Sequence, residues 1–208
     1  MNMKQSSLDD LPLQDLPLQD LRAQDRVTFA RLVDLTSKPL YFLLLRILND
    51  EQDAEDILQE TYIKAFTALP GFEGRSSLKT WLFRIATNEA LMLIRKRKPQ
   101  VQLSELDDDS EEMEQPKEIV DWCCIPEPEL MTAETRKKLN EAIKNLPVNL
   151  RTVFMLRDMQ GFSGDETAAI VGISVDNVKT RLLRARFKLR EELSAYFGER
   201  VKNGNQTA

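Results

Sequence analysis

Apolar residues recur at three- and four-residue spacing along most of the chain, whereas strand-like alternation is scarce. This spacing predicts helices over Val27–Leu35, Leu40–Leu48 and Asp53–Phe66. Pro39 is expected to separate the first two, because proline cannot donate a helical hydrogen bond. Pro70-Gly71 is expected to end the third. The pattern therefore predicts an all-α protein.

A fourth helix is predicted after the loop Phe72–Ser77. Ser76 or Ser77 can act as its N-cap, and its end is basic, at 95–98, just before Pro99. A basic helix end beside a polar loop that carries an aromatic residue is typical of single-strand binding, where bases need polar pockets and stacking surfaces.

The segment Ser163–Arg190 predicts two helices joined by a tight turn. Ser163 and Glu166 have the spacing of a capping box, and Gly172 suits the left-handed residue that ends a helix. Ser174 can cap the second helix. This pattern is typical of a helix-turn-helix.

The second helix of this motif is strongly basic. No acidic residue lies between Asn177 and Arg190, a pattern that favours entry into the major groove and neutralisation of phosphates. The alternative is a basic surface helix after an ordinary helical hairpin. The six cations are Lys179, Arg181, Arg184, Arg186, Lys188 and Arg190.

The net charge of −5 is unusual for a nucleic-acid-binding protein, but the acidity is local. Residues 104–129 hold eleven acidic residues and one lysine, so this segment carries −10 and the remainder of the chain +5. Together with its prolines, this composition predicts a linker between two helical domains. The predicted divisions are a disordered tail over 1–24, a first domain over 25–99, the acidic linker over 100–130, a second domain over 131–197 and a disordered tail over 198–208.

Several classes of function are disfavoured by the composition. The chain has no histidine, and the adjacent Cys123 and Cys124 do not form a four-ligand zinc set. No nucleophile–base pair or glycine-rich phosphate loop is recognisable, so we expect neither an enzyme nor a cofactor. No signal peptide or membrane span is predicted, which indicates a cytoplasmic protein. The near-repeat DLPLQ from Asp10 is interpreted as part of a disordered tail or, alternatively, as a short docking motif.

Three blocks together resemble the extracytoplasmic-function sigma factors of bacterial RNA polymerase. They are DAEDILQETYIKAF (53–66), FEGRSSLKTWLFRIATNEAL (72–91) and LPVNLRTVFMLRDMQGFSGDETAAIVGISVDNVKTRLLRAR (146–186). The resemblance covers 25–98 and 133–193 in the family's order and spacing. It implies two helical domains, sigma regions 2 and 4, joined by a flexible linker.

The resemblance also implies the partners and the residues that bind them. The first block would dock on the clamp helices of the polymerase's largest subunit, and the flap of the second-largest subunit is a further expected contact. The implied core-binding residues are Asp53, Asp56, Gln59 and Glu60, which we expect to point outward because the helical pattern places them away from the buried side of the third helix. An anti-sigma factor is expected as an inhibitor.

The DNA contacts implied by the resemblance fall in two groups. Region 2 would capture a flipped base of the minus-10 element with Phe72, Arg75, Ser76, Ser77, Lys79, Trp81, Arg84 and Asn88, although Trp81 serves equally well as a core residue. Region 4 would read base edges of the minus-35 element with Lys179, Thr180 and Leu183. Phosphates or flanking bases would be contacted by Arg157, Arg181, Arg184 and Arg186.

Two alternatives of other classes remain. A helix-turn-helix repressor or activator with a helical regulatory domain would share the basic helix, but it would need neither of the first two blocks. A helical nuclease lacks recognisable metal ligands. The linker is expected either to follow the polymerase's nucleic-acid channel or to act only as a solvated tether.

Overall fold

The computed structural model describes residues 12–97 and 133–204, and all regular secondary structure in these ranges is helical. The α-helices are α1 (Leu18–Arg22), α2 (Arg26–Leu48), α3 (Glu51–Ala68), α4 (Leu78–Arg97), α5 (Ala133–Asn145), α6 (Val148–Phe154), α7 (Gly164–Val171) and α8 (Val175–Gly204). Short 3-10 turns cover Leu13–Asp15 and Leu69–Gly71, and a π-helical turn covers Met155–Met159. The predicted all-α fold is confirmed.

The first unit consists of α1 to α4, and its α2 corrects one prediction. Pro39 lies inside a continuous helix instead of separating two. An interior proline costs about 3 kcal/mol. Leu32 before it and Leu40 and Leu43 after it are fully buried, and each such leucine contributes roughly 1.5–3 kcal/mol. The burial on both sides therefore outweighs the local penalty, and the helix continues.

Polar residues determine where α2 and α3 begin and end. The Asp25 carboxylate accepts a hydrogen bond from the Thr28 N–H at 2.9 Å and caps α2. Asn49 ends that helix in the left-handed conformation, with φ of 57°. Asp50 then accepts from the Asp53 N–H at 2.9 Å and caps α3. The turn between these helices is therefore encoded locally, as cap chemistry requires.

The second unit consists of α5 to α8 and contains the predicted helix-turn-helix. Ser163 and Glu166 form both halves of the capping box at the start of α7. Gly172 ends α7 with φ of 79°, a conformation that glycine adopts without strain. The Ser174 Oγ accepts from the Asn177 N–H at 3.2 Å and caps α8. All of these signals were predicted from the sequence.

The two units pack against each other, mainly through α4 and α7. The rings of Phe83 and Phe162 meet edge to face, with centroids 4.9 Å apart. Arg151, which is buried, donates to the carbonyl of Ile47 at 2.9 Å and to that of Lys144 at 2.6 Å. Its charge therefore lies at the C-terminal ends of α2 and α5, where helix dipoles favour a cation.

The two ends of the chain are more ordered than the sequence predicts, over part of their length. Residues 12–24 form a 3-10 turn and α1, and they bury Leu16 and Leu21. Residues 198–204 continue α8. The sequence of this helix contains no proline, and its only glycines are Gly198 and Gly204, near its end. Residues 1–11 and 205–208, and the predicted linker with Cys123 and Cys124, lie outside the described residues. Within the described ranges, no helix is both long and apolar enough to cross a bilayer.

Candidate functional site

Three surfaces carry the residues for which the sequence predicts a function. We name them the α3 surface (Asp53, Asp56, Gln59 and Glu60), the capture loop (Phe72–Ser77) with the adjoining side of α4, and the reading turns, which are the first three turns of α8 (175–185). Among the side chains that the structure describes, no group of three or more His, Cys, Asp or Glu could hold a metal ion.

The α3 surface is polar and largely exposed. Asp56 and Gln59 are exposed, and Glu60 is paired with Lys64 at 3.3 Å along the same helix. Ile63, one turn after Gln59, is 62% exposed. Ile63 thus adds one apolar side chain to the otherwise polar α3 surface. Sequence periodicity missed Ile63, because one isoleucine beside buried positions is indistinguishable from a core residue.

Asp53 departs from the predicted exposure. It is only 8% exposed, and both of its carboxylate oxygens accept hydrogen bonds from the Arg97 guanidinium at the end of α4. This side-chain hydrogen bond raises the pKa of Arg97 above its ordinary value. The expectation that Asp53 points outward is wrong, because its partner lies 44 residues away in sequence and is brought to it only by packing.

The capture loop is exposed between two fixed ends. Residues 73–77 are all exposed, and Gly74 has φ of 78°, a backbone conformation that favours glycine. At one end Phe72 is buried against Trp81, with ring centroids 5.0 Å apart. At the other end Ser77 accepts from the Thr80 N–H at 3.0 Å and caps α4. The loop thus presents Arg75 and Ser76 to solvent.

On α4, three predicted DNA-binding residues share one side. Trp81, Arg84 and Asn88 are spaced by three and four residues, and Arg84 and Asn88 are exposed. Trp81 is half-buried on Phe72. One side of its ring is thus packed while part of the residue stays accessible. Its position is therefore compatible with both predicted roles, contact with a base and packing in the core.

The start of α8 presents Lys179 and Thr180 to solvent. The Lys179 side chain is highly exposed and lies 3.0 Å from Asp176, and the Thr180 hydroxyl donates to the Asp176 carbonyl at 3.0 Å. Leu183 and Arg184 follow on the next turn and are half-exposed. Three polar residues and one leucine thus form an accessible surface on the helix that would enter a groove.

The other predicted phosphate-binding cations have intramolecular positions. Arg181 is only 6% exposed. Arg186 donates to both oxygens of Asp158, at 2.9 and 2.8 Å, and Arg157 donates to the carbonyl of Phe162. Their predicted DNA contacts remain predictions. In this conformation, however, Arg186 and Arg157 support the unit's own fold.

One predicted DNA-binding residue, Lys79, takes part in the contact between the two units. The Lys79 ammonium donates to the Gln160 carbonyl at 3.2 Å and lies 4.5 Å from the ring centre of Phe162. The Thr80 hydroxyl lies 3.1 Å from a Glu166 oxygen. Hydrogen bonds from Ser163, chiefly from its backbone N–H, lower the pKa of Glu166. Sequence reasoning did not predict this contact, because it joins segments more than 80 residues apart.

Comparison with known proteins identifies both units. The model of sigma-70 region 2 matches residues 32–100, and that of sigma-70 region 4 matches residues 136–189. These matches include all three surfaces and the helix-turn-helix. They follow each other in the order that the sequence predicts.

Whole-chain relatives agree with the domain matches. The chain is 35% identical to the ECF RNA polymerase sigma factor SigW of Bacillus subtilis, covering 81% of this chain and 90% of that protein. It is 31% identical to the RNA polymerase sigma-H factor of Pseudomonas aeruginosa, covering 84% and 91%. Its fold is similar to the sigma factor RpoE in complex with the anti-sigma factor NepR from Bartonella quintana, with a TM-score of 0.59, 27% identity, and coverage of 80% and 96%. The chain therefore belongs to the extracytoplasmic-function family of RNA polymerase sigma factors.

Proposed function

We propose that this chain binds core RNA polymerase through the α3 surface, captures the opened minus-10 strand with the capture loop, and reads the minus-35 element with the reading turns. The polymerase performs the chemistry, and this protein, which is not itself an enzyme, supplies the promoter recognition. It acts in the bacterial cytoplasm, where promoter DNA and polymerase reside. The observation that carries the proposal is the pairing of a region 2 fold with a region 4 helix-turn-helix, each with an exposed recognition surface.

Minus-35 recognition is supported by the exposure of Lys179 and Thr180 at the start of α8. The N-terminal part of a recognition helix is the part that usually reaches base edges in the major groove. A lysine there can donate to guanine, and a threonine to any of several base edges. Arg184, one turn further along, suits a phosphate contact that fixes the helix in its register.

Minus-10 capture is supported by the arrangement around the capture loop. Arg75 and Ser76 are exposed, while Arg84 and Asn88 line the side of α4 that also carries Trp81. Cationic, amide and aromatic groups together suit a single strand, since bases stack on aromatic rings and hydrogen-bond with polar groups. Binding to an unpaired base would offset part of the cost of opening the duplex.

Docking on polymerase is supported by the mixed character of the α3 surface. Asp56 and Glu60 supply negative charge, and Ile63 supplies an apolar contact point. Charge complementarity steers association, while buried apolar contacts contribute most of the affinity. The relative in the Bartonella quintana complex binds an anti-sigma factor, and we propose that an anti-sigma factor also inhibits this chain.

Promoter binding requires the two units to separate. The minus-10 and minus-35 positions are about 25 base pairs apart, which is ~85 Å of duplex at ~3.4 Å per base pair. The Lys79 ammonium and the Gln160 carbonyl are 3.2 Å apart. A compact body of the described residues is only about 40 Å across, so both elements cannot be bound in the packed arrangement. The 35 residues from 98 to 132 have a contour length of at most roughly 120 Å, which is sufficient to allow the separation.

Transcription in vitro tests the proposal. Sigma-free core polymerase would be incubated with fragmented genomic DNA of the source bacterium, with and without the purified chain, and the 5′ ends of the RNA would be mapped. A sigma factor yields new, discrete start sites that share two upstream elements. A repressor or activator yields none with core polymerase alone, and that result would refute the proposal.

A further inference from the structure

The segment that precedes region 2 is ordered and packs beside the capture loop. We call residues 12–24 the N-terminal brace. Each copy of its Pro-Leu-Gln-Asp repeat forms the same unit, a proline that precedes a short helical turn: Pro12 before Leu13–Asp15, and Pro17 before α1. Proline is well suited to this position, because the missing N–H would be unbonded there in any case.

Two leucines anchor the brace to the core of region 2. Leu16 is 4% exposed, and Leu21 is fully buried. Gln24, at the end of the brace, donates from Nε2 to the Phe66 carbonyl at 2.9 Å. The brace is therefore attached independently of any contact with the capture loop.

Arg22 extends from this anchored segment to the capture loop. Its Nε donates to the Phe72 carbonyl at 2.8 Å, across 50 residues of sequence. Its Nη2 also lies 4.0 Å from the point where a side chain on Gly74 would begin. The guanidinium thus lies along the first half of the loop, while Ser77 holds the second half by capping α4.

The contact bears on strand capture because of what the loop must do. Residues 73–77 are exposed, and fixing the backbone of an exposed residue in one conformation costs conformational entropy. A loop that is already ordered pays less of this cost when it binds DNA. Arg22 donates one hydrogen bond to the loop, and because its side chain is exposed to solvent this restraint has the strength of an ordinary hydrogen bond.

We propose that Arg22 is a positioning residue for minus-10 capture, through which the N-terminal brace holds the capture loop in its DNA-binding form. This inference rests on the proposed function of the loop. Arg22 acts on the strand through the Phe72 carbonyl and Gly74.

The first test measures the loop itself in the full-length chain. In Arg22→Gln, amide hydrogen exchange over residues 73–77 and tryptic cleavage after Arg75 should both accelerate by about two- to tenfold, the range expected for loss of one hydrogen bond. Arg22→Lys keeps the charge without the planar guanidinium and should lie between Gln and the unaltered chain. Arg26→Gln, the same change at an exposed arginine that starts α2, is the matched control and should change neither measurement.

The second test measures promoter melting by holoenzyme, using permanganate reactivity on a promoter found by transcription mapping. Arg22→Gln should slow melting by about two- to tenfold, while binding of core polymerase and of the upstream duplex element stays unchanged. Circular dichroism of each variant establishes that it is folded, which we expect because Arg22 is exposed.

The outcomes separate this inference from the function on which it depends. Faster loop exchange together with slower melting supports the role of Arg22. Unchanged loop exchange overturns it, and so does faster exchange with melting at the normal rate. If the role of Arg22 is overturned, Arg75→Ala shows whether the proposed function of the capture loop fails with it. If Arg75→Ala also melts its promoter at the normal rate, the proposed function of the loop fails. If Arg75→Ala melts its promoter slowly, only the role of Arg22 fails.

Discussion

The Thr80 hydroxyl lies 3.1 Å from a carboxylate oxygen of Glu166, the residue whose other contacts form the capping box of the helix-turn-helix. Thr80 belongs to α4, directly after the capture loop, and Glu166 belongs to α7, which supports the recognition helix. A single carboxylate therefore serves both the DNA-reading motif and the contact between the two units. The separation of the units that we propose for promoter binding would break this hydrogen bond.

Removal of the Thr80 hydroxyl should shift the chain toward the open arrangement. Thr80→Val keeps the shape of the side chain but loses the hydrogen bond to Glu166 and the one shared with the Ser77 hydroxyl. The bond to Glu166, at about 1 kcal/mol, corresponds to a shift of about fivefold in the equilibrium between the packed and open arrangements. Small-angle scattering of the free protein should show a larger radius of gyration. Thr67→Val is the control, because the Thr67 hydroxyl bonds only along its own helix, to the Ile63 carbonyl. Identical scattering curves for both variants would contradict the prediction.

Charge reversal on the α3 surface should weaken polymerase binding without unfolding the protein. Asp56→Lys and Glu60→Lys should each lower the affinity for core polymerase, because both residues are accessible and neither is part of the core. Ile63→Ser should lower it by roughly 1–2 kcal/mol if this side chain becomes buried on binding. The affinity would be measured by titration of labelled protein with core polymerase.

The control for this surface is Asp34→Lys, which makes the same charge change at an exposed position on α2. Equal losses in Asp34→Lys and Asp56→Lys would indicate a nonspecific charge effect. The assignment of the surface would then be wrong.

Two residues of the reading turns should affect DNA binding in different ways. Lys179→Ala should change which upstream sequences are preferred, at about 1–3 kcal/mol for the cognate base. Arg184→Ala should weaken all sequences alike and lower the salt slope by about one unit. Selection from a randomised upstream element at two salt concentrations measures both effects. A uniform loss for Lys179→Ala, with altered preference for Arg184→Ala, would reverse these two roles.

Arg186 should contribute to stability through Asp158. Because the pair is bidentate and Asp158 is mostly buried, we expect a coupling energy of roughly 1 kcal/mol in a double-mutant cycle of Arg186→Gln and Asp158→Asn. Denaturant unfolding of the four proteins provides the measurement. A coupling near zero, together with a lower salt slope of DNA binding for Arg186→Gln, would assign this arginine to phosphate contact instead.

The Tyr62 phenol should lose its proton at a much higher pH than an exposed tyrosine does. Burial raises the pKa of Tyr62 to about 12, although the hydrogen bond with Thr36 opposes this shift. The folded state therefore holds the phenolic proton more tightly than the unfolded state does. This contribution to stability is complete below the ordinary pKa of 10.0 and is lost as the pH rises toward 12. The difference in phenolate absorbance between the unaltered chain and Tyr62→Phe isolates this group, and a midpoint near 10 would contradict the prediction.

The residues that begin and end the helices were readable in the sequence. Ser163 with Glu166, Gly172 and Ser174 predicted the helix-turn-helix, because capping involves residues within about four positions of one another. The same locality explains the error at Pro39. The local cost of a proline inside a helix is evident from the sequence. The burial of Leu40 and Leu43 offsets that cost, but it depends on distant helices.

The all-α class, the two helical units and the family can all be predicted from the sequence, since periodicity, caps and motif spacing are properties of short segments. The tertiary structure decided which polar residues remain accessible. Asp53 is covered by Arg97 and Arg186 is held by Asp158, while Arg22 reaches the Phe72 carbonyl. A charged side chain at an outer helix position has the same sequence pattern whether it faces solvent or a partner. Only packing brings the partner within hydrogen-bond distance, and for that reason the exposed recognition surfaces could not be fully predicted from the chain alone.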